Sequence, residues 1–149
     1  MTKLFLSIIA VISLSACIYL QYAEEPNTEY RAYIGKRFEV LQLLSINGVR
    51  GRRGVVSYVL LAKSLRSGPE IAFVEYVLPG NIFEIVNVER CIQCRGLRIR
   101  FVIQFLNPSF QRFENIVLDS YYSEIFSLSS EKDVVIDFAY LKPINRNEI

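Results

Sequence analysis

"LRIRFVIQFL", residues 97–106, alternates with a period of two. Leu97, Ile99, Phe101, Ile103 and Phe105 share one parity. Arg98, Arg100 and Gln104 share the other, with Val102 among them. That period stands one apolar row on one face of a sheet and leaves the other face mainly polar. The run ends at Asn107-Pro108, a turn signal. Working outward, five more segments are rich in Val, Ile, Phe and Tyr: 37–46, 55–63, 71–78, 82–92 and 133–141. Asn47-Gly48, Ser67-Gly68-Pro69, Pro79-Gly80-Asn81 and Cys94-Arg95-Gly96 punctuate them as predicted turns. The composition of these segments predicts an all-β domain. Short strands and tight turns favour a small antiparallel barrel, SH3-like or OB-like, with a small β-sandwich as the alternative. The segment 82–92 loses phase, which predicts a bulge near Asn87 or burial on both faces. Between 114 and 128 the pattern suits a strand start followed by one or two helical turns, a short helical segment near residues 118–128.

The chain has 149 residues, 52% apolar and 21% charged, enough for one ordinary domain with a real core. Its formal charge of +2 supplies no concentrated basic footprint, so nucleic acid is not expected as a partner. There is no histidine. That removes the usual general base at neutral pH, the commonest zinc ligand and the base of a Ser-His-Asp or Cys-His nucleophile. No P-loop, GxGxxG, HExxH, GxSxG or EF-hand pattern occurs, and no cofactor is expected.

The amino end reads "MTKLFLSIIAVISLSAC". Lys3, an apolar run over 4–14 and the small residues Ser15 and Ala16 have the layout of a secretory signal peptide. Leu14-Ser15-Ala16-Cys17 resembles the lipobox of bacterial lipoproteins. The resemblance implies cleavage before Cys17, diacylation of its sulfur and acylation, palmitate included, of its new amino group. Ile18 follows and not Asp, which by the same resemblance implies the outer membrane of the cell envelope, facing the periplasm. A Gram-positive source would imply the outer face of the plasma membrane. The other reading of 4–20 is an uncleaved signal anchor, at the lower length limit of a membrane span. Both put the chain outside the cytoplasm. The expected organisation is a signal peptide over 1–16, a lipidated cysteine and tether over 17–32, one β-domain over 33–143 and a tail over 144–149.

Cys91 and Cys94, in "ERCIQCRG" over 89–96, admit four readings. Haem attachment needs His at 95, which is Arg. A metal site lacks further ligands of the usual kinds. A redox pair belongs at a helix start within a βαβ pattern. In an oxidising compartment a disulfide stapling the turn fits best, since positions i and i+3 of a β-turn lie within disulfide reach. Its closed loop is tiny, so its entropic gain is about 2 kcal/mol. Ile92 and Gln93 would form the tip.

Two groups of arginines are candidate binding residues. Arg50, Arg52 and Arg53 lie among the glycines of "NGVRGRRG", 47–54, and could grip phosphates or carboxylates. Arg90, Arg95, Arg98 and Arg100 form a second group around the disulfide turn. Ordinary solvation is the alternative for both. The acids Glu70, Glu75, Glu84 and Glu89 are expected to pair with arginines, and Glu75 and Glu84 could also face each other across the turn at 79–81.

These readings converge on a non-catalytic lipoprotein. Its small β-domain would bind a protein or an envelope polymer, in an assembly, inhibitor or immunity-type role, while the N-terminal lipid holds it to the membrane. The alternatives are an envelope enzyme, acting on cell wall or on thiols and disulfides, and a carrier of a small apolar ligand.

Overall fold

The computed structural model describes residues 21–51 and 54–145. The alternating segment is strand β7 (Ile99–Phe105), whose odd-numbered residues are buried. It runs antiparallel to β6 (Ile82–Cys91) on one edge and to β8 (Ile116–Asp119) on the other. Beyond β8 lie β4 (Val56–Ala62), β3 (Leu44–Arg50) and β5 (Ile71–Val77). Beyond β6 lie β2 (Arg37–Val40) and the edge strand β11 (Leu141–Ile144). β1 (Tyr22–Glu24) pairs with the last three residues of β6, past the end of β2. A separate hairpin joins β9 (Phe126–Leu128) to β10 (Val134–Ile136).

All these pairings are antiparallel except β4 with β8, which is parallel. Leu44, Ile46, Val59, Leu61 and Val77 from β3, β4 and β5 enter the same core as Phe38, Val40, Phe83, Phe101 and Phe105 from β2, β6 and β7. The two halves of the large sheet therefore bury their inner faces against each other, as in a sandwich. Ring pairs fill the interior, among them the tilted pairs Phe101 with Phe126 at 4.6 Å and Phe105 with Phe110 at 4.8 Å between centroids.

The all-β expectation holds, in the sandwich-like form. The sheet is not closed into a barrel: its order ends at β5 on one side and β11 on the other. The bulge falls where the phase breaks, at a register shift between Ile85 and Asn87.

Four local expectations are corrected. Asn47-Gly48 is not a turn but the middle of β3. The Asn47 side chain is wholly buried, accepts from the Arg66 amide and donates to Ser45. Gly48 lies under the Phe73 ring, whose atoms are 2.3–2.7 Å from where a Cβ would stand. The turn comes later, where the Gly51 amide bonds the Val55 carbonyl and Gly54 takes a φ of 73°.

No helix forms near residues 118–128; a single turn remains, in which the Asp119 carbonyl accepts from the Tyr122 and Ser123 amides. The Asp119 carboxylate accepts from the Tyr121 amide, the Ser123 hydroxyl accepts from the Asp119 amide, and Glu124 turns left-handed at φ 63°. Side-chain bonds of this kind replace a helix ladder with a tight bend. The segment 133–141 is not one strand either. Asp137 accepts from the Ala139 amide in an Asx turn, which separates β10 from β11. β11 then continues through Pro143 to Ile144, into the expected tail.

Finally, the supposed tether contributes structure. Besides β1, residues Thr28–Arg31 form one helical turn, α1, capped by the Asn27 side chain, and Tyr30 is buried.

The fit of Phe73 over Gly48 gives a test. Gly48→Ala is expected to destabilise the domain by about 1–3 kcal/mol through overpacking. In the Phe73→Leu background the same change should cost much less, so urea unfolding of the four proteins should give a large coupling energy. Equal costs in both backgrounds would show that the ring does not set the requirement.

Candidate functional site

The connection between β6 and β7 runs over 92–98, and the disulfide Cys91–Cys94 pins its first half to the end of β6, with Cα atoms 5.6 Å apart. Cys91, at the end of β6, is buried and bonds the Arg98 carbonyl through its amide at 2.9 Å. Cys94 is half-buried, and the tip beyond the bridge is open to solvent. Ile92, the first residue of the tip, is 62% exposed, and its amide donates to the Gln21 carbonyl at 2.9 Å. Three features therefore meet at one end of the sandwich: the disulfide, the hairpin apex and the point where the N-terminal chain joins the sheet.

Two grooves flank this tip, and Cys94 and Leu97 line both. The larger, of about 730 Å3, runs between Glu25, Tyr30, Arg90 and Lys132. The Glu25 side chain is buried; one carboxylate oxygen accepts from the Asn27 amide and the other has no partner among the described residues. Tyr30 donates to the Lys132 carbonyl at 2.8 Å. Burial first, then the charges of Glu25, Glu29 and Asp133, push the Tyr30 phenol above its ordinary value. The second groove, of about 460 Å3, runs between Arg95, Arg98, Ser120 and Tyr121.

The four arginines of this end divide into two kinds. Arg90 and Arg95 are exposed, and neither forms an ion pair among the described residues. Arg98 and Arg100 are committed elsewhere. Arg98 meets the buried Asp119 carboxylate through Nε and Nη2 at 3.0–3.2 Å, and lies over the Tyr122 ring at 4.6 Å. Arg100 bonds Glu89 at 2.6 Å and lies over Tyr22 at 3.7 Å. Burial opposes the charge on Arg98, but hydrogen bonding to Asp119 and its Coulomb attraction outweigh it, and the guanidinium is held more firmly protonated than usual. Tyr22 donates to Asp119 at 3.1 Å, and burial together with that carboxylate pushes its phenol upward. This outer-face cluster is cross-linked within itself and presents no free cation.

Three of the four acids pair with arginines as the sequence suggests, Glu84 with Arg37, Glu89 with Arg100 and Glu75 with Arg112, whereas Glu70 forms no ion pair among the described residues. Glu75 and Glu84 therefore do not face each other, and β5 and β6 are not neighbours in the sheet. Arg50 closes β3, its amide on the Glu70 carbonyl at 2.7 Å. Arg52 and Arg53 lie outside the described residues, as does Cys17. By register, the loop between β3 and β4 sits at the far end of the strands β4, β8 and β7 from the disulfide tip.

Sequence reasoning missed Glu25, Tyr30, Asp119 and Tyr22. The Asn27 cap followed by Thr-Glu-Tyr-Arg was the available signal for α1. Nothing local marks Asp119 as the partner of Arg98.

The fold and its tip define an all-β, sandwich-like domain with a disulfide-closed hairpin. Comparison with protein-family models, curated proteins and solved structures gives no match. Among the described residues no helix is long and apolar enough to cross a membrane, and no three His, Cys, Asp or Glu side chains converge as a metal site.

Two outcomes follow from the outer-face cluster. Asp119→Ala strands a largely buried guanidinium and should cost about 3–5 kcal/mol, whereas Arg98→Met with Asp119→Leu should cost clearly less by urea unfolding. Tyr22, Tyr30 and Tyr58 all have phenols raised above the ordinary 10.0 in the folded state. The unfolded chain ionises first, so the stability they contribute is present below about pH 10 and is lost as pH rises through their folded values. Urea midpoints should fall across that range, and Tyr22→Phe should flatten the fall. A midpoint that does not change with pH there would contradict the assignment.

Proposed function

We propose that the chain is a lipid-anchored lipoprotein of the bacterial envelope, whose small β-domain binds a protein or envelope polymer without catalysing a reaction. The observation that carries this reading is the meeting of chain entry and disulfide tip at one end, with the Arg50 loop at the other. An anchor at Cys17 then puts the tip beside the membrane. The Arg50 end of β3 then lies at the end away from it, where the loop that follows is the candidate contact for a partner.

Several features favour binding over chemistry. Tyr22, Tyr30, Tyr58 and Arg98 are all shifted upward, away from neutral pH, whereas a general acid or base is tuned toward it. The disulfide sits on a β-hairpin, where no helix N-terminus lowers a thiol pKa. Phenylalanine rings occupy the interior that a carrier of an apolar ligand would need open.

Metabolic labelling with a palmitate analogue should mark the full chain and be lost on Cys17→Ala; persistent labelling would defeat the anchor. For the partner, a photo-crosslinking residue at Val55, which is 69% exposed beside the arginine loop, should give one defined adduct in envelopes. Changing Arg50, Arg52 and Arg53 to Ala should reduce that adduct at least fivefold. An unchanged adduct would take the loop out of the interface.

A further inference from the structure

We propose that the stapled tip between β6 and β7 is a second membrane contact. It lies in the anionic headgroup layer of the bilayer that holds the anchor, with Ile92 among the headgroups and Arg90 and Arg95 on lipid phosphates. The proposal rests on the reading of Cys17 as acylated and adds the contact surface and its ligand.

Chain length supplies the first argument. Cys17 precedes Gln21 by four residues, which span at most about 14 Å when fully extended. The Gln21 carbonyl is bonded to the Ile92 amide at 2.9 Å. Adding one interstrand step of about 5 Å, a lipid on Cys17 holds Ile92 within about 20 Å of the lipidated residue, within reach of the headgroup layer. At that range the tip meets headgroups at high effective concentration, and even weak contacts become populated.

The chemistry of the tip supplies the second. Ile92 stands exposed where the tip leaves β6, outside both core clusters. Arg90 and Arg95 are exposed and unpaired, while Arg37, Arg98, Arg100 and Arg112 are each matched to an acid. Glu24, Glu89 and Asp119 are taken by Arg31, Arg100 and Arg98, and Glu25, which lines the larger groove with Arg90, is buried and forms no ion pair among the described residues. Glu29 and Asp133 act on Tyr30, in the larger groove. Tyr121, 74% exposed, lines the second groove beside Arg95 and is the amphipathic side-chain type that settles at headgroup depth. An apolar tip residue flanked by unpaired guanidinium groups matches a layer of phosphates over hydrocarbon. The disulfide holds that shape before contact, which lowers the ordering cost of docking.

The chain contains no Trp, so a single introduced indole reports its own depth. The acylated full chain carrying Ile92→Trp, reconstituted in phosphatidylglycerol-containing vesicles, should show blue-shifted emission and strong quenching by headgroup-proximal spin-labelled lipid. Val55→Trp, at the opposite end, should stay aqueous in emission and unquenched. Arg90→Ala with Arg95→Ala should reduce the Ile92→Trp quenching at least twofold, and vesicles of phosphatidylcholine alone should do the same. Equal quenching at the two positions, none at Ile92→Trp, or quenching indifferent to the arginines would overturn the proposal. A tip that docks on a protein instead would also leave the indole aqueous, since these vesicles hold none. Intact mass of the chain from membranes reads the acyl groups separately. If they are absent, the anchor reading has failed. The tip is then still tested by coupling Cys17, the one cysteine outside the disulfide, to a maleimide lipid in the same vesicles.

Discussion

β7 is paired along both edges, and its pleat fixes what every neighbour can do. One row of its side chains is locked in the core, where Phe101 packs between Tyr33 and Phe126 and Phe105 between Phe83 and Phe110. A slip of one residue would drive Arg98, Arg100 and Gln104 into that core and turn four apolar side chains outward. Once the register is set, Arg100 stands opposite Glu89 on β6 and Asp119 on β8. Arg100 bonds Glu89, and Asp119 is left to Arg98, two residues along the same face. The outer-face ion pairs are thus a consequence of inner-face packing, at the spacing where cross-strand pairs interact.

The same constraint explains why the sheet folds over without closing. β4 can reach β8 only as a parallel neighbour, after the chain has passed through β5, β6 and β7. That leaves β5 and β11 as the ends of the strand order, with the short β1 as a further edge beside β6. β11 carries Pro143, which has no amide to donate and suits an edge position. β5 carries Glu75, tied to Arg112. Both ends thus bear features that discourage further pairing, a way in which natural sheets limit edge association.

Alternation alone made β7 legible, and the bulge could be read from the phase break near Asn87. Four of the six β-rich segments survive as single strands with shifted ends, whereas 37–46 is divided between β2 and β3 and 133–141 between β10 and the start of β11. What failed was every place where a long-range contact overrides a local signal. Asn47-Gly48 has turn chemistry, but burial of Asn47 against Arg66 and the seat of Phe73 over Gly48 draw it into β3. The helical stripe over 118–128 is real as a pattern. Asp119, however, is bound by Arg98 and Tyr22, and its remaining hydrogen bonding shapes a bend. At the tip, the unpaired state of Arg90 and Arg95 and the pairing of Arg98 and Arg100 look alike in sequence. They differ only in which strand lies alongside, and that information resides in residues tens of positions away.

A bridge spanning three residues restrains little chain entropy, on the order of 2 kcal/mol, comparable to burying one large apolar side chain. The sandwich, with its ring-filled core, does not depend on it. Its consequence is geometric. Cys91 is fixed at the end of β6, and the bridge ties to it Cys94, which lines both grooves. The Ile92 amide is thereby aimed at Gln21, and β1 is zipped onto the end of β6. A loop whose shape is set this way also sets the direction from which the N-terminal chain enters. Tip and entry point therefore act as one rigid corner of the domain, and any force on the chain from an anchor is delivered at that corner. The arginine loop at the far end of β4 is then positioned by the length of the sandwich and not by a flexible tether.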